Sequence, residues 1–111
     1  MLCEDLEVLN EYSQIVSVYI SAANLRNRDT FSKSDPYAQI YVKDQDVGLY
    51  KLMGDTEKLK NTQSPDFSQE IRLIYNFEMK QEIKIEFRDD DGNGSFDMLG
   101  VHMTSLGHVV G

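Results

Sequence analysis

Two short runs of the chain are dense in aspartate, and both have the composition of loops. The first run spans residues 28–37 and the second spans residues 87–100. Carboxylates gathered this closely repel one another unless a cation lies between them. Oxygen ligands in flexible loops suit calcium, which accepts roughly six to eight oxygens at variable geometry. The runs therefore predict a calcium site divided between two loops. The candidate ligands are Asp29, Asp35, Asp89, Asp91 and Asp97.

Local geometry favours this site over unrelated turn residues. Asp89 and Asp91 follow an alternating segment and are two residues apart, so both carboxylates lie on the same side of the chain. Asp97 can fold back toward them because Gly92 and Gly94 permit a tight turn. A single aspartate in a turn often serves only to hydrogen-bond the local backbone. Two such runs in one small chain favour a shared site.

The segments around the runs alternate apolar and polar residues, which is typical of half-buried β-strands. A short helix is predicted over residues 106–110, capped by Thr104 or Ser105. About six or seven short strands separated by turn signals indicate an antiparallel sandwich. The predicted strands cover residues 14–22, 37–43, 49–53, 56–61, 70–75 and 82–87.

Length, charge and cysteine content limit the possible functions. A chain of 111 residues is long enough for one domain, which we place at residues 14–111 after an acidic arm at residues 1–13. The net charge of −8 argues against nucleic acid as a partner. Cys3 is the single cysteine, so no disulfide can form within the chain, which favours a reducing compartment. No segment resembles a signal peptide or a membrane span, so any membrane contact is expected to be peripheral.

Two other kinds of site fit less well. The second run matches part of an EF-hand loop, but Gly100 stands where the bidentate glutamate belongs, and residues 82–87 have a period of two rather than a helical period. His102 and His108 have no nucleophile or carboxylate at a recognisable catalytic spacing. We therefore expect neither an EF-hand nor an enzyme.

Several motifs in combination resemble the C2 domain family. Residues 34–37, Ser-Asp-Pro-Tyr before an alternating strand, are the most recognisable of them, and the five aspartates match the family's calcium ligands in identity and spacing. Within the family the chain is most similar to the first C2 domain of a copine. The segments that carry this similarity are residues 32–36, 56–61, 64–68, 75–78 and 105–109.

The resemblance implies an antiparallel Greek-key β-sandwich of about eight strands. It also implies a cytoplasmic module that moves to the inner face of the plasma membrane, or to other membranes, when calcium rises. About two calcium ions, held by the five aspartates, would bridge to anionic headgroups such as phosphatidylserine. Each ion adds two positive charges, so two ions would bring the formal net charge from −8 to −4.

Apolar and basic residues beside the two loops are the candidates for direct lipid contact. The expected membrane-inserting residues are Phe31, Phe96 and Met98. The expected headgroup-binding residues are Arg28, Lys33, Lys58 and Lys60.

Two departures from the family pattern leave alternatives open. Gly94 stands where many C2 domains have a serine ligand, so one side-chain oxygen is missing. No strand pattern follows residue 110, so either the sandwich keeps an open edge or residues 6–10 fill the place. The chain is accordingly expected to be a monomer, or a dimer through an open sheet edge. A calcium-independent protein–protein interaction module is the alternative function.

Overall fold

Seven β-strands and one short helix make up the part of the chain that the computed structural model describes, residues 2–8, 13–25, 35–76 and 79–110. In chain order they are β1 Leu2–Val8, β2 Ser13–Ile20, β3 Pro36–Lys43, β4 Tyr50–Asp55, β5 Ile71–Asn76, β6 Glu82–Gly92, β7 Ser95–Ser105 and α1 Leu106–Val110. The strands form a three-stranded sheet in the order β1-β2-β5 and a four-stranded sheet in the order β4-β3-β6-β7. All pairings are antiparallel. The predicted antiparallel sandwich is confirmed, with slightly fewer strands than expected.

The core lies between the two sheets and consists of the inward members of each alternating strand. Val16 and Val18 of β2 are fully buried, as are Ile40 of β3 and Ile83 of β6. Each such side chain contributes about 1.5–3 kcal/mol when it leaves water. The period of two in the sequence therefore identified the buried faces correctly.

Strand β1 differs from the sequence prediction. Residues 2–8 pair with β2 in an unbroken register, with Leu2 opposite Ile20 and Val8 opposite Gln14. The sequence pattern predicted an irregular acidic arm over residues 1–13, and this expectation is corrected for residues 2–8. An edge strand is held largely by the backbone N–H and C=O groups of its neighbour, so it needs little periodicity of its own. The alternative, a strand over residues 6–10, is confirmed for residues 6–8, and residues 9 and 10 lie outside the described part of the chain.

The segment after β4 follows β3 without forming the strand predicted at residues 56–61. Its backbone donates two hydrogen bonds to β3, from Thr56 to the Ala38 carbonyl and from Leu59 to the Pro36 carbonyl, both at 2.9 Å. In return the Ala38 N–H donates to Thr56 Oγ1 at 2.8 Å. These bonds carry the chain along β3 toward the end at which the aspartates lie.

The second aspartate run lies in a long hairpin rather than in an open loop. Strand β6 continues to Gly92 and β7 begins at Ser95. The connecting backbone is left-handed, with φ angles of 77° at Gly92, 53° at Asn93 and 80° at Gly94. The tight turn predicted from the two glycines is confirmed. Strand β7 was missed because residues 98–105 do not alternate cleanly.

Helix α1 begins where it was predicted. The His108 N–H donates to Ser105 Oγ at 3.1 Å, which makes Ser105 the capping residue. Leu106 is fully buried and anchors the helix against the core. Among the described residues no helix is long and apolar enough to cross a membrane.

The bond between Thr56 and β3 gives a test of the fold. Thr56→Val keeps the shape of the side chain but leaves the Ala38 N–H without its acceptor, so we expect the free energy of unfolding to fall by about 1–3 kcal/mol. Thr56→Ser retains the hydroxyl and should cost clearly less. Urea unfolding followed by circular dichroism measures both. Equal losses in the two variants would show that the γ-methyl group, not the hydrogen bond, stabilises this segment.

Candidate metal centre

Three of the five candidate aspartates come together at one end of the β6–β7 hairpin. Asp89 of β6 lies opposite Asp97 of β7, and Asp91 follows two residues after Asp89. One carboxylate oxygen of each lies within 4.8 Å of the others. Asp89 is buried, Asp97 is half-buried and Asp91 is exposed. We call these three residues the aspartate cluster. A cluster that ranges from buried to exposed can hold a cation and still present it to solvent.

Asp35 supports the aspartate cluster through its backbone. Its N–H donates to Asp89 Oδ1 at 2.9 Å, and its carbonyl accepts the Asp90 N–H at 3.1 Å. Its own carboxylate accepts the N–H of Asn61 at 2.7 Å. Asn61 has a φ of 57°, a left-handed conformation for which asparagine is well suited. Asp35 is therefore beside the cluster, but the structure does not group its carboxylate with the other three. Its assignment as a ligand stays a prediction.

The remaining residues of the first run lie outside the described part of the chain. This applies to the predicted ligand Asp29, to the predicted membrane-inserting residue Phe31, and to the predicted headgroup-binding residues Arg28 and Lys33. Their roles stay predictions.

A hydrogen-bonded network on the outer face of the four-stranded sheet adjoins the cluster. Arg88 Nη2 donates to Glu86 Oε1 at 2.6 Å and to the Tyr41 hydroxyl at 3.0 Å. Lys84 Nζ lies 3.1 Å from Glu86 Oε2. Sequence reasoning missed this network. Its signal was the alternation of charged residues along β6, which places Lys84, Glu86 and Arg88 on one face.

The network changes the acidity of its members. Burial alone would raise the pKa of Glu86, but the hydrogen bonds from Arg88 and Lys84 outweigh burial and hold this pKa below its ordinary value. Burial also opposes the charged form of Arg88, yet hydrogen bonding to Glu86 raises the Arg88 pKa above its ordinary value. Both groups therefore stay ionised, and the Arg88 guanidinium is held in a fixed orientation.

Phe96 and Met98 lie at the start of β7, beside the aspartate cluster. The Phe96 ring is 39% exposed, and the Arg88 guanidinium carbon lies 3.9 Å from its centroid. This cation–π contact contributes about 0.5–1 kcal/mol at an exposed site. Met98 is half-buried and pairs with Arg88 across the hairpin. Phe96 is thus placed at the outer surface by a partner from β6.

Lys58 lies close to the cluster, on the same end of the sandwich. Its Nζ is 3.6 Å from Asp90 Oδ2 and 5.4 Å from the centroid of the Tyr37 ring. Both Lys58 and Lys60 are exposed. An exposed pair of this kind contributes about 0–1 kcal/mol, so Lys58 can exchange Asp90 for another anion at small cost.

A family model describes most of the chain. The model for the C2 domain matches residues 13–110. Among curated proteins of Dictyostelium discoideum, the chain is 34% identical to Copine-E over 100 residues and 39% identical to Copine-A over 85 residues. These alignments cover 86% and 77% of this chain but only 17% and 14% of the relatives. The chain thus spans less than a fifth of either relative.

Solved structures share the fold. A calcium-bound structure of two C2 domains of Extended-Synaptotagmin 2 matches with a TM-score of 0.66 and 25% identity, covering 92% of this chain and 37% of that one. A C2 domain of RIM from Drosophila matches with a TM-score of 0.63 and 18% identity, covering 96% and 86%. Human GIVD cytosolic phospholipase A2 matches with a TM-score of 0.68 and 19% identity over 93% of this chain, which is 13% of the phospholipase chain.

Glu86 provides a test of the network. Its lowered pKa means that the ionised carboxylate stabilises the fold at neutral pH, and that this contribution disappears as the pH falls through the folded-state value. We expect Glu86→Gln to lower the free energy of unfolding at neutral pH by about 1 kcal/mol and to reduce the loss of stability in acid. Glu70→Gln, in an exposed pair with Arg72, is the control. Denaturant unfolding as a function of pH in EDTA measures both, and an unchanged acid profile in Glu86→Gln would contradict the assignment.

Proposed function

Because the chain belongs to the C2 domain family, we propose that it is a non-catalytic, calcium-dependent phospholipid-binding module of a copine-like protein. The observation that carries this proposal is the aspartate cluster, in which oxygens of Asp89, Asp91 and Asp97 lie within 4.8 Å of one another. The likeness to the calcium-bound structure of Extended-Synaptotagmin 2 supports it.

The donor set fits calcium. The cluster offers carboxylate oxygens only, which suit a hard cation, and two of the three side chains remain accessible. Asp89 is 1% exposed, and a charge buried to this degree must be compensated by partners. A divalent cation shared with Asp91 and Asp97 provides that compensation. Asp29 and Asp35 are proposed as further ligands, with about two ions in all.

Residues around the aspartate cluster would then contact the lipid bilayer. Bound calcium supplies coordination positions that phosphate oxygens of an anionic lipid can fill. Phe96 lies at the same end of the sandwich and presents an exposed ring to the bilayer interface. Lys58, paired with Asp90, and Lys60, two residues further along the chain, are both exposed and are proposed to contact headgroup phosphates. In a cell, the module would move from the cytoplasm to a membrane as calcium rises. The other residues proposed for this surface are Phe31, Met98, Arg28 and Lys33.

Removal of one exposed carboxylate tests the metal centre. Asp91→Asn should weaken calcium binding at least about tenfold in calorimetry, because the cluster loses a charged ligand. It should also abolish calcium-dependent sedimentation with phosphatidylserine vesicles. Asp46→Asn removes the same charge from the β3–β4 turn and should behave as the parent chain does. Absence of calcium binding by the folded parent chain would overturn the proposal.

Phe96 tests the mode of membrane contact. Phe96→Ala removes a ring whose burial is worth about 1.5–3 kcal/mol, so we expect vesicle affinity to fall about tenfold or more. Calcium affinity in the absence of lipid should stay unchanged. Leu49→Ala, which truncates an exposed apolar side chain in the β3–β4 connection, is the control. Equal vesicle affinity of Phe96→Ala and the parent chain would show that Phe96 remains stacked on Arg88 and does not insert.

A calcium-independent protein-interaction module is the second candidate. It is favoured by Val47 and Leu49, which are 65% and 69% exposed in the connection between β3 and β4. This connection leaves β3 at the end remote from the Pro36–Asp89 pair, and therefore away from the aspartate cluster. A partner captured equally well in EDTA and by Asp91→Asn would support this function.

A further inference from the structure

Strand β7 is an edge strand, and the part of it that follows Asp97 carries no formal charge. It pairs only with β6, at the end of the four-stranded sheet. Residues 98–105 contain no lysine, arginine, aspartate, glutamate or proline. Charged residues and proline are the usual protection of a sheet edge against pairing with another chain. Among the four edges of the two described sheets, residues 100–105 of β7 are the longest stretch without a charge, a proline or a register shift. All four edge strands carry some formal charge: β1 has Glu4, Asp5 and Glu7, β4 has Lys51 and Asp55, β5 has Arg72, and β7 has Asp97 near its start.

Residues 100–105 of β7 are regular, and the strand is exposed on both faces at residues 101–103. Its register with β6 is unbroken from Ser105 to Gly100. On the outer face, Val101 and Met103 are 52% and 53% exposed. On the inner face, exposed His102 lines a cavity of about 320 Å³ between the sheets. The strand therefore offers backbone and apolar side chains to an added strand. The other residues that line the cavity are Ser21, Ala22, Ala23, Ile85 and Phe87.

A second copy of the chain fits this edge. Two chains of net charge −8 repel each other, and this repulsion opposes their approach least at an edge where neither chain presents a carboxylate. An antiparallel pairing centred on His102 sets Val101 opposite Met103 of the second copy, and Met103 opposite its Val101. A shift of one residue would set Val101 opposite His102 and invert the faces, so registers shifted by an odd number of residues are disfavoured. The contact is self-complementary, as a two-fold symmetric interface requires.

The direction of β7 decides what such a dimer does. Each β7 begins beside its own aspartate cluster and ends at α1. Antiparallel pairing therefore places the two clusters at opposite ends of a continuous eight-stranded sheet. We propose that two copies pair through residues 100–105 of β7, and that the pair bridges two membranes rather than binding one membrane twice. The bridging part rests on the proposed function; the pairing part does not.

The interface is small, below about 1,200 Å², so it is a concentration-dependent contact. Chains concentrated on the facing surfaces of two vesicles should pair with each other more readily than chains in dilute solution. The expected consequence is vesicle clustering in the presence of calcium.

The test uses two edge variants and a matched control. Val101→Lys and Met103→Lys each place a charge on the edge, and both positions are exposed, so either variant should fold. Ile74→Lys alters an equally exposed residue of β5, at 55%. In sedimentation velocity without calcium, the parent chain and Ile74→Lys should show a monomer–dimer equilibrium. The edge variants should weaken it about tenfold or more. A monomeric parent chain at every concentration, or an equal effect of Ile74→Lys, would overturn the pairing.

Vesicles separate the pairing from the proposed function. With calcium and phosphatidylserine vesicles, the edge variants should sediment with the lipid as the parent chain does but fail to cluster the vesicles, measured as turbidity. Clustering by an edge variant that is monomeric in solution would overturn bridging. If the parent chain does not bind vesicles at all, both the proposed function and the bridging are overturned. The dimer in solution is tested separately, by sedimentation velocity alone.

Discussion

The hydrogen bond from the Asp35 N–H to the buried Asp89 carboxylate joins the two halves of the candidate site. It ties the residue that precedes β3 to the end of β6, and the reciprocal bond from Asp90 to the Asp35 carbonyl fixes the alignment of the two strands. A buried carboxylate tolerates few arrangements, because each lost partner leaves charge in a poorly solvating environment. The position of Asp89 therefore constrains Asp91 and Asp97, whose places follow from β6 and its hairpin.

The basic side chains near Asp89 are paired with other carboxylates and not with the aspartate cluster. Arg88 is hydrogen-bonded to Glu86, and Lys58 is paired with Asp90. Alternation along β6 separates the basic residue from the acidic one: Arg88 points to the outer face of the sheet and Asp89 to the inner face. The aspartate cluster thus lies next to an outer face on which Lys84 and Arg88 are both paired with Glu86. The stacking of Phe96 on Arg88 links the outer face to the hairpin tip.

The antiparallel topology gives the molecule two different ends. The aspartate cluster, Phe96 and Lys58 lie at one end, and α1 and the β3–β4 connection lie at the other. A strand that pairs with an edge of either sheet therefore has a defined direction relative to these two ends. A partner added to the β7 edge would consequently be oriented with respect to the aspartate cluster, even though it would not contact that cluster.

Much of the fold followed from the sequence because period-two alternation is a local property. The strands at residues 14–22 and 82–87 were predicted from the alternation of neighbouring residues alone, and the structure buries their inward residues Val16, Val18 and Ile83. The left-handed turn followed from Gly92 and Gly94 for the same reason. Strands β1 and β7 escaped prediction because edge strands are stabilised by the backbone of a neighbour, and β7 also exposes residues on both of its faces.

The sequence by itself determined which chemical groups the site contains: several carboxylates, two glycines to fold the hairpin, and an aromatic residue at its tip. Only the tertiary structure decided which of them meet. It brought Asp97 opposite Asp89, turned the Asp35 carboxylate toward Asn61, and paired Lys58 with Asp90. The physical reason is that residue types and short spacings are encoded locally. Contacts between distant segments depend on how the two sheets pack. They also depend on which polar groups become buried and must then find hydrogen-bond partners.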